Sequence, residues 1–173
     1  MFKWIRFYVD LCLFRAAPQD APTSTTVLYL TVFAYWTSGA LLTSIGQGII
    51  VAAIIALIQT ILAMFFINLA LWIRKFPERI VQTTTAFTGS GVLISLIALP
   101  IVLILGQGGE DTDILYSITW IALVVWETII VAHIFRHALS IPLYAAAGVS
   151  LVLMYMSFAI TLRILKLMSI NLG

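Results

Sequence analysis

The stretch WETIIVAHIFRHAL, residues 126–139, sets one carboxyl, two imidazoles and a guanidinium in a run that is otherwise apolar. Glu127 has the chemistry to relay a proton or hold a cation. His133 and His137, four residues apart, share one helical face and so have a spacing that suits a metal or a haem. Arg136 can meet a lipid phosphate. Each use competes with a plainer one: a hydrogen bond between helices, or the basic end of a span.

Depth in the bilayer separates these readings. If the span is centred near Val125, Glu127 lies about 3 Å from its midpoint at ~1.5 Å rise per residue. A charged carboxylate there costs at least ~2.5 kcal/mol, so it has to be protonated, paired or turned to the bundle interior. Arg136 is nine positions further on and about half a turn round the helix, too far to pair with it. The sequence predicts a neutral or hydrogen-bonded Glu127 in a polar layer with Gln59, Ser95 and Tyr155, and Thr60 and Ser157 fall at the same depth. A structural hydrogen bond is the leading role for Glu127. A proton or ion relay is the alternative, and it lacks a second acid at relay distance.

His133, roughly 12 Å from the same midpoint, is expected in a second polar layer with Asn68 and Thr88. No third histidine exists in the chain. Glu127 stands ~9 Å along the axis from His133 and about 120° round, so the two cannot ligate one ion. No metal and no cofactor is expected, and a haem between two histidines would need a second chain.

The elements that must position these residues follow from composition. Of 173 residues, 62% are hydrophobic and 9% charged, with a mean hydropathy of +1.13; soluble domains carry about 25% charged residues. The fold class is all-α, a polytopic transmembrane bundle of about five spans. Apolar runs at about 24–44, 49–73, 82–105, 114–136 and 143–165 are each long enough for a hydrocarbon core of roughly 30 Å. Short connections predict that consecutive spans pack as antiparallel neighbours. Residues 1–22 form a separate N-terminal unit, an amphipathic interfacial helix with Lys3, Arg6 and Asp10 on one stripe, closed by Pro18 and Pro22. Residues 23–173 are the single membrane domain. The apolar run near the N-terminus is short and broken by Asp10, so cleavage as a signal peptide is not expected.

With the N-terminus inside, seven of nine basic residues lie on the cytoplasmic side, while Arg163 and Lys166 conflict with an outside C-terminus. Lys3, Arg6, Arg74, Lys75, Arg79 and Arg136 are the expected contacts to the lipid surface, and Glu110, Asp111 and Asp113 form an acidic loop on the other side. Thr84, Thr88, Gly91 and Ser95 make one small-residue stripe, Thr85 and Gly89 another, of the kind that lets membrane helices approach closely. A net charge of +2 in scattered clusters predicts no nucleic-acid binding. The lone Cys12 excludes an internal disulfide. There is no phosphate-cradling loop, no zinc-protease helix and no nucleophile elbow, and no enzymatic activity is expected. A five-span chain also lacks the two-halved inverted repeat of many carriers.

An N-terminal segment ending in a proline turn, followed by five close-spaced spans, resembles the Yip-domain membrane proteins and their small bacterial relatives. Ala17-Pro18-Gln19-Asp20, Gly89-Ser90-Gly91 through Leu99-Pro100, and the run from Ala132 to Leu139 are similar to phrases of small inner-membrane proteins of proteobacteria. The resemblance implies a non-enzymatic accessory, assembly or membrane-organising factor in a bacterial inner membrane. Its partners would be the lipid bilayer and other membrane proteins or further copies of itself. A small proton- or ion-coupled transporter using Glu127, Gln59 and His133 is the second expectation, and a subunit of a redox complex the third.

Overall fold

A computed structural model describes the backbone of residues 2–105 and 110–171, and the side chains of residues 4–104 and 114–166. Among these residues the chain forms six α-helices: α1 (Phe2–Cys12), α2 (Thr25–Ser44), α3 (Ile49–Ile73), α4 (Ile80–Leu105), α5 (Glu110–Leu139) and α6 (Leu143–Asn171). Two 3-10 turns, Pro18–Asp20 and Pro77–Arg79, join them. The last five helices are long and apolar enough to cross a membrane, and the chain is an integral membrane protein by that measure. Their bounds follow the apolar runs, with α5 longer at both ends and α6 longer at its end than expected. Glu110, Asp111 and Asp113 open that helix instead of forming a loop. Their side chains lie outside the described residues.

Contacts run α2 to α4, α4 to α5, α5 to α6, α6 to α3 and α3 back to α2, so the five long helices close a ring. The expectation that consecutive spans are close neighbours holds only weakly at one step, because α3 touches α4 no more than it touches α6, while α2 packs broadly on α4. The cause lies in the small-residue stripe of α4. Thr88 Oγ1 donates to Thr31 Oγ1 over 3.0 Å, and Gly91 leaves room for the Tyr35 ring, which sits where a Cβ would be. These close approaches bring α2, rather than α3, against α4.

Three helices end in a left-handed residue that is not glycine: Phe14 after α1, Lys75 after α3 and Ser140 after α5. The amides that follow turn back onto the last turn, as with Phe76 N to Leu71 O at 2.9 Å and Ile141 N to Arg136 O at 3.2 Å. The carbonyls at the end of α5 have further donors. Arg79 Nη1 donates to His137 O at 3.3 Å, Ala138 O at 3.1 Å and Ser140 Oγ at 3.0 Å, and Arg74 Nε to Leu139 O at 3.3 Å.

The N-terminal unit is docked on the bundle. Tyr8, Leu11 and Cys12 are buried, and the Tyr8 ring fills the place where Gly89 has no Cβ. Beyond α1 the chain climbs alongside α5. Trp126 Nε1 donates to Cys12 O at 3.3 Å, His133 Nε2 meets Ala16 O at 2.9 Å, and Gln19 Nε2 reaches His137 O at 3.4 Å. Residues 12–19 thus run beside the last three turns of α5, about 16 Å of its length at ~1.5 Å per residue. Residues 2–20 form a half-hairpin against α4 and α5, with its turn level with the middle of α5.

Candidate functional site

Between the helices lies a half-open cavity of two lobes that share Glu127 in their linings. One lobe, of about 600 Å³, runs between α2, α3, α4 and α5 past Ser95, Trp120 and Tyr116 to Gly46 in the α2–α3 turn. The other, of about 610 Å³, lies between α3, α5 and α6 and includes Ser150, Ser157 and Thr161. Its rim carries Ile121, Val125 and Phe158, all exposed on the outer side of the bundle. Tyr35, Gln59, Trp120, Val124 and Glu127 line both lobes. Towards the other end of α5 the interior is sealed. Ile67, Leu71, Ile130, Ile134 and Phe135 are all fully buried, and Phe66 meets the Phe135 ring edge-on at 6.1 Å. The first lobe thus reaches the acidic end of the bundle, and no lobe reaches the basic one.

Glu127 makes no hydrogen bond and no ion pair with any described residue. Its expected partners are near but otherwise engaged. Gln59 Nε2 donates to Thr161 Oγ1 at 2.7 Å, tying α3 to α6, and Thr60 bonds back to Ala56 O at 2.8 Å. Ser95 lines the same lobe as Glu127. Tyr155 does not belong to the layer, being 71% exposed and absent from both linings. The reason is azimuth. Tyr155 is two residues from both Leu153 and Ser157, which line the second lobe, and two residues turn a helix by about 200°. Depth alone could not reveal that. Tyr35 takes the place expected of Tyr155: it borders both lobes and lies within electrostatic reach of Glu127. Its signal in the sequence was the Gly91 that accommodates its ring.

The second expected layer does not assemble. Asn68 bonds to Met64 O of its own helix at 2.7 Å, Thr88 pairs with Thr31, and His133 turns to Ala16 O. Because that carbonyl can only accept, Nε2 of His133 carries the proton. The His133 ring also meets Phe14 at 5.5 Å and His137 at 4.6 Å, edge-on in both cases. Three residues at one depth thus found partners on separate faces. Among the described residues, no group of three or more His, Cys, Asp and Glu side chains comes together as a metal-binding cluster.

Of the expected lipid-surface residues, Arg74 and Arg79 spend donors on the α5 carbonyls. Arg6 is exposed beside Asp10 at 3.7 Å, and Lys75 and Arg136 are exposed at the same end of the bundle. The Lys3 side chain lies outside the described residues.

The fold and site together define a membrane bundle of five long helices around a half-open cavity in which Glu127 is the one acidic group among the described residues. Compared with protein-family models, curated proteins and solved structures, the chain matches none of them.

Proposed function

We propose that the chain is a non-enzymatic integral membrane protein that admits a small solute to its central cavity, as a proton- or ion-coupled carrier in which Glu127 is the working group. One observation supports this above all: a carboxyl in the middle of a span, bordering two cavity lobes, has no hydrogen-bond or ion-pair partner among the described residues. A carboxyl kept only to tie helices together would hold a partner, as Gln59 does with Thr161. The cavity's closed end fits one face of an alternating-access cycle. The reading is tested in pyranine-loaded proteoliposomes by applying outward and inward gradients of small amines, inorganic cations and neutral solutes. At least one gradient should move protons with wild-type protein and none with Glu127→Gln. Proton movement that is the same in both, or absent for every solute, overturns it.

A second reading is the accessory or membrane-organising factor that the Yip-domain resemblance implies. The docked half-hairpin favours it, because Trp4, Ile5, Val9 and Phe14 are left exposed beside α4 and α5, ready for lipid or a neighbouring membrane protein. In this reading the half-hairpin lies in the cytoplasmic half of a bacterial inner membrane, an orientation supported by the basic residues at that end. Native mass spectrometry from mild detergent tests it: a defined partner subunit supports it, and a bare chain counts against it.

A further inference from the structure

We infer that the cavity's ligand is an organic cation with an apolar, partly aromatic body; this rests on the reading of Glu127 as the cavity's working group. The chemistry of the walls is selective in three ways. First, the described linings of the two lobes hold no Lys or Arg, and Glu127 is the one carboxyl in them. An anion would find no counter-charge there, whereas a cation would find one.

Second, aromatic rings line both lobes. Tyr35 and Trp120 line both lobes, Tyr116 the first and Phe87 the second. Tyr116 stacks on Trp120 at 6.3 Å and 16°, and Tyr35 meets Phe87 edge-on at 5.8 Å. Ring faces attract a desolvated ammonium or phosphonium centre, and their area suits an apolar substituent. Third, a bare metal ion would want about six oxygen ligands gathered closely, whereas the described linings hold one carboxylate with hydroxyls and an amide spread over a space of about 600 Å³. That volume falls within the range of organic ligands, roughly 300–1,000 Å³.

Charge balance then prescribes an exchange. As the cation settles against Glu127, the carboxyl gives up one proton to water in the lobe that reaches the acidic end, and the charge inside the ring is unchanged. Besides Glu127, the titratable groups in the described linings are Tyr35 on α2 and Tyr116, about three turns away on α5; those from α3, α4 and α6 contain none.

The test is equilibrium binding of tetraphenylphosphonium to the full chain in detergent, with tetraphenylborate and triphenylphosphine oxide as anionic and neutral counterparts of similar shape. Saturable binding of the phosphonium alone is expected, about tenfold weaker in Glu127→Gln, a loss of about 1.4 kcal/mol. Trp120→Leu should weaken it several-fold while keeping its pH dependence, and proton release should accompany binding in wild type and Trp120→Leu but not in Glu127→Gln. Equal binding of the neutral or anionic analogue, or undiminished binding by a folded Glu127→Gln protein, overturns the inference. Since no membrane separates compartments here, the ligand class can fail while proton coupling in vesicles stands, and the reverse.

Discussion

Gln59 and Thr161 join α3 to α6 through a 2.7 Å hydrogen bond in the same cavity lobe as Glu127. That bond closes the ring of helices and takes the amide away from the acid. Hydrogen bonds between membrane helices average about 0.6 kcal/mol with a maximum near 1.7. A double-mutant cycle of Gln59→Leu and Thr161→Val, read by reversible unfolding in mixed micelles, should return a coupling of that size. A coupling of zero would show that the bond is not formed in the folded protein.

Glu127 offers the opposite case. Because no described protein group holds it, Glu127→Gln removes no partner, and the variant should melt within about 0.5 kcal/mol of wild type, the range of substitutions that touch no special feature. A loss of 2 kcal/mol or more, on the order expected when a buried hydrogen-bonded pair is broken, would make Glu127 a structural anchor instead.

Arg79 should be hard to replace. One of its nitrogens serves two carbonyls and the Ser140 hydroxyl, and its guanidinium carbon lies 4.3 Å from the Phe76 ring centroid. Lysine keeps the charge but not the planar fork. Arg79→Lys should cost about 1 kcal/mol and Arg79→Gln somewhat more, at the lower end of charged hydrogen bonds because the group is half exposed. Hydrogen exchange should speed up at the α5 end and leave the Gln59 layer unchanged; uniform acceleration would refute a local capping role.

The docking of α1 is testable through the single thiol. Cys12 is buried, and desolvation pushes its pKa up to about 11. At pH 8 only about a thousandth of it is the reactive thiolate, so maleimide labelling should be slow and rise about tenfold per pH unit as far as pH 10. A thiol with its pKa raised by folding contributes stability that is complete below its unfolded value and is lost as pH climbs towards 11. Gly89→Ala should displace Tyr8 and accelerate labelling at pH 8, and Tyr8→Ala should restore the slow rate. Labelling indifferent to both changes would mean that α1 is not held at Gly89.

Tyr8 Oη, Thr84 Oγ1 and Thr85 Oγ1 are buried without a described hydrogen-bond partner. Substituting a hydroxyl that bonds to nothing by a methyl of the same shape is close to neutral or stabilising. Thr85→Val should therefore melt at or slightly above the wild-type temperature. A drop of more than about 1 kcal/mol would mean that Thr85 holds an internal water.

Much of this architecture could be read from residue order. Runs of apolar residues marked the five spans, because membrane length is a constraint each helix meets by itself. Spacing also carried information where two small residues define a stripe: Gly89 and Gly91 were read as close packing, and Tyr8 and Tyr35 occupy those positions. Rotation of one helix against another was not legible. Gln59, Ser95 and Glu127 share a cavity, but Tyr155, Asn68 and Thr88 were grouped by depth and turn elsewhere. The role of Tyr35 depends on α2 crossing α4, a pairing between non-consecutive helices that a single sequence does not encode locally. Nor could charge counting show that Arg74 and Arg79 serve the carbonyls of a distant helix.

The closure of the ring by α6 also has a consequence for how the protein is made. Residues 59 and 161 are 102 positions apart, and the helix bearing Thr161 is the last of the five spans to leave the ribosome. Until it arrives, α3 lacks its polar partner, and Glu127 faces whatever the insertion machinery provides. The acid must therefore wait in a partly built bundle through the synthesis of α6, at roughly 5–20 residues per second. The second lobe is the last part of the cavity to come into being, since the first is lined by α2 to α5 alone.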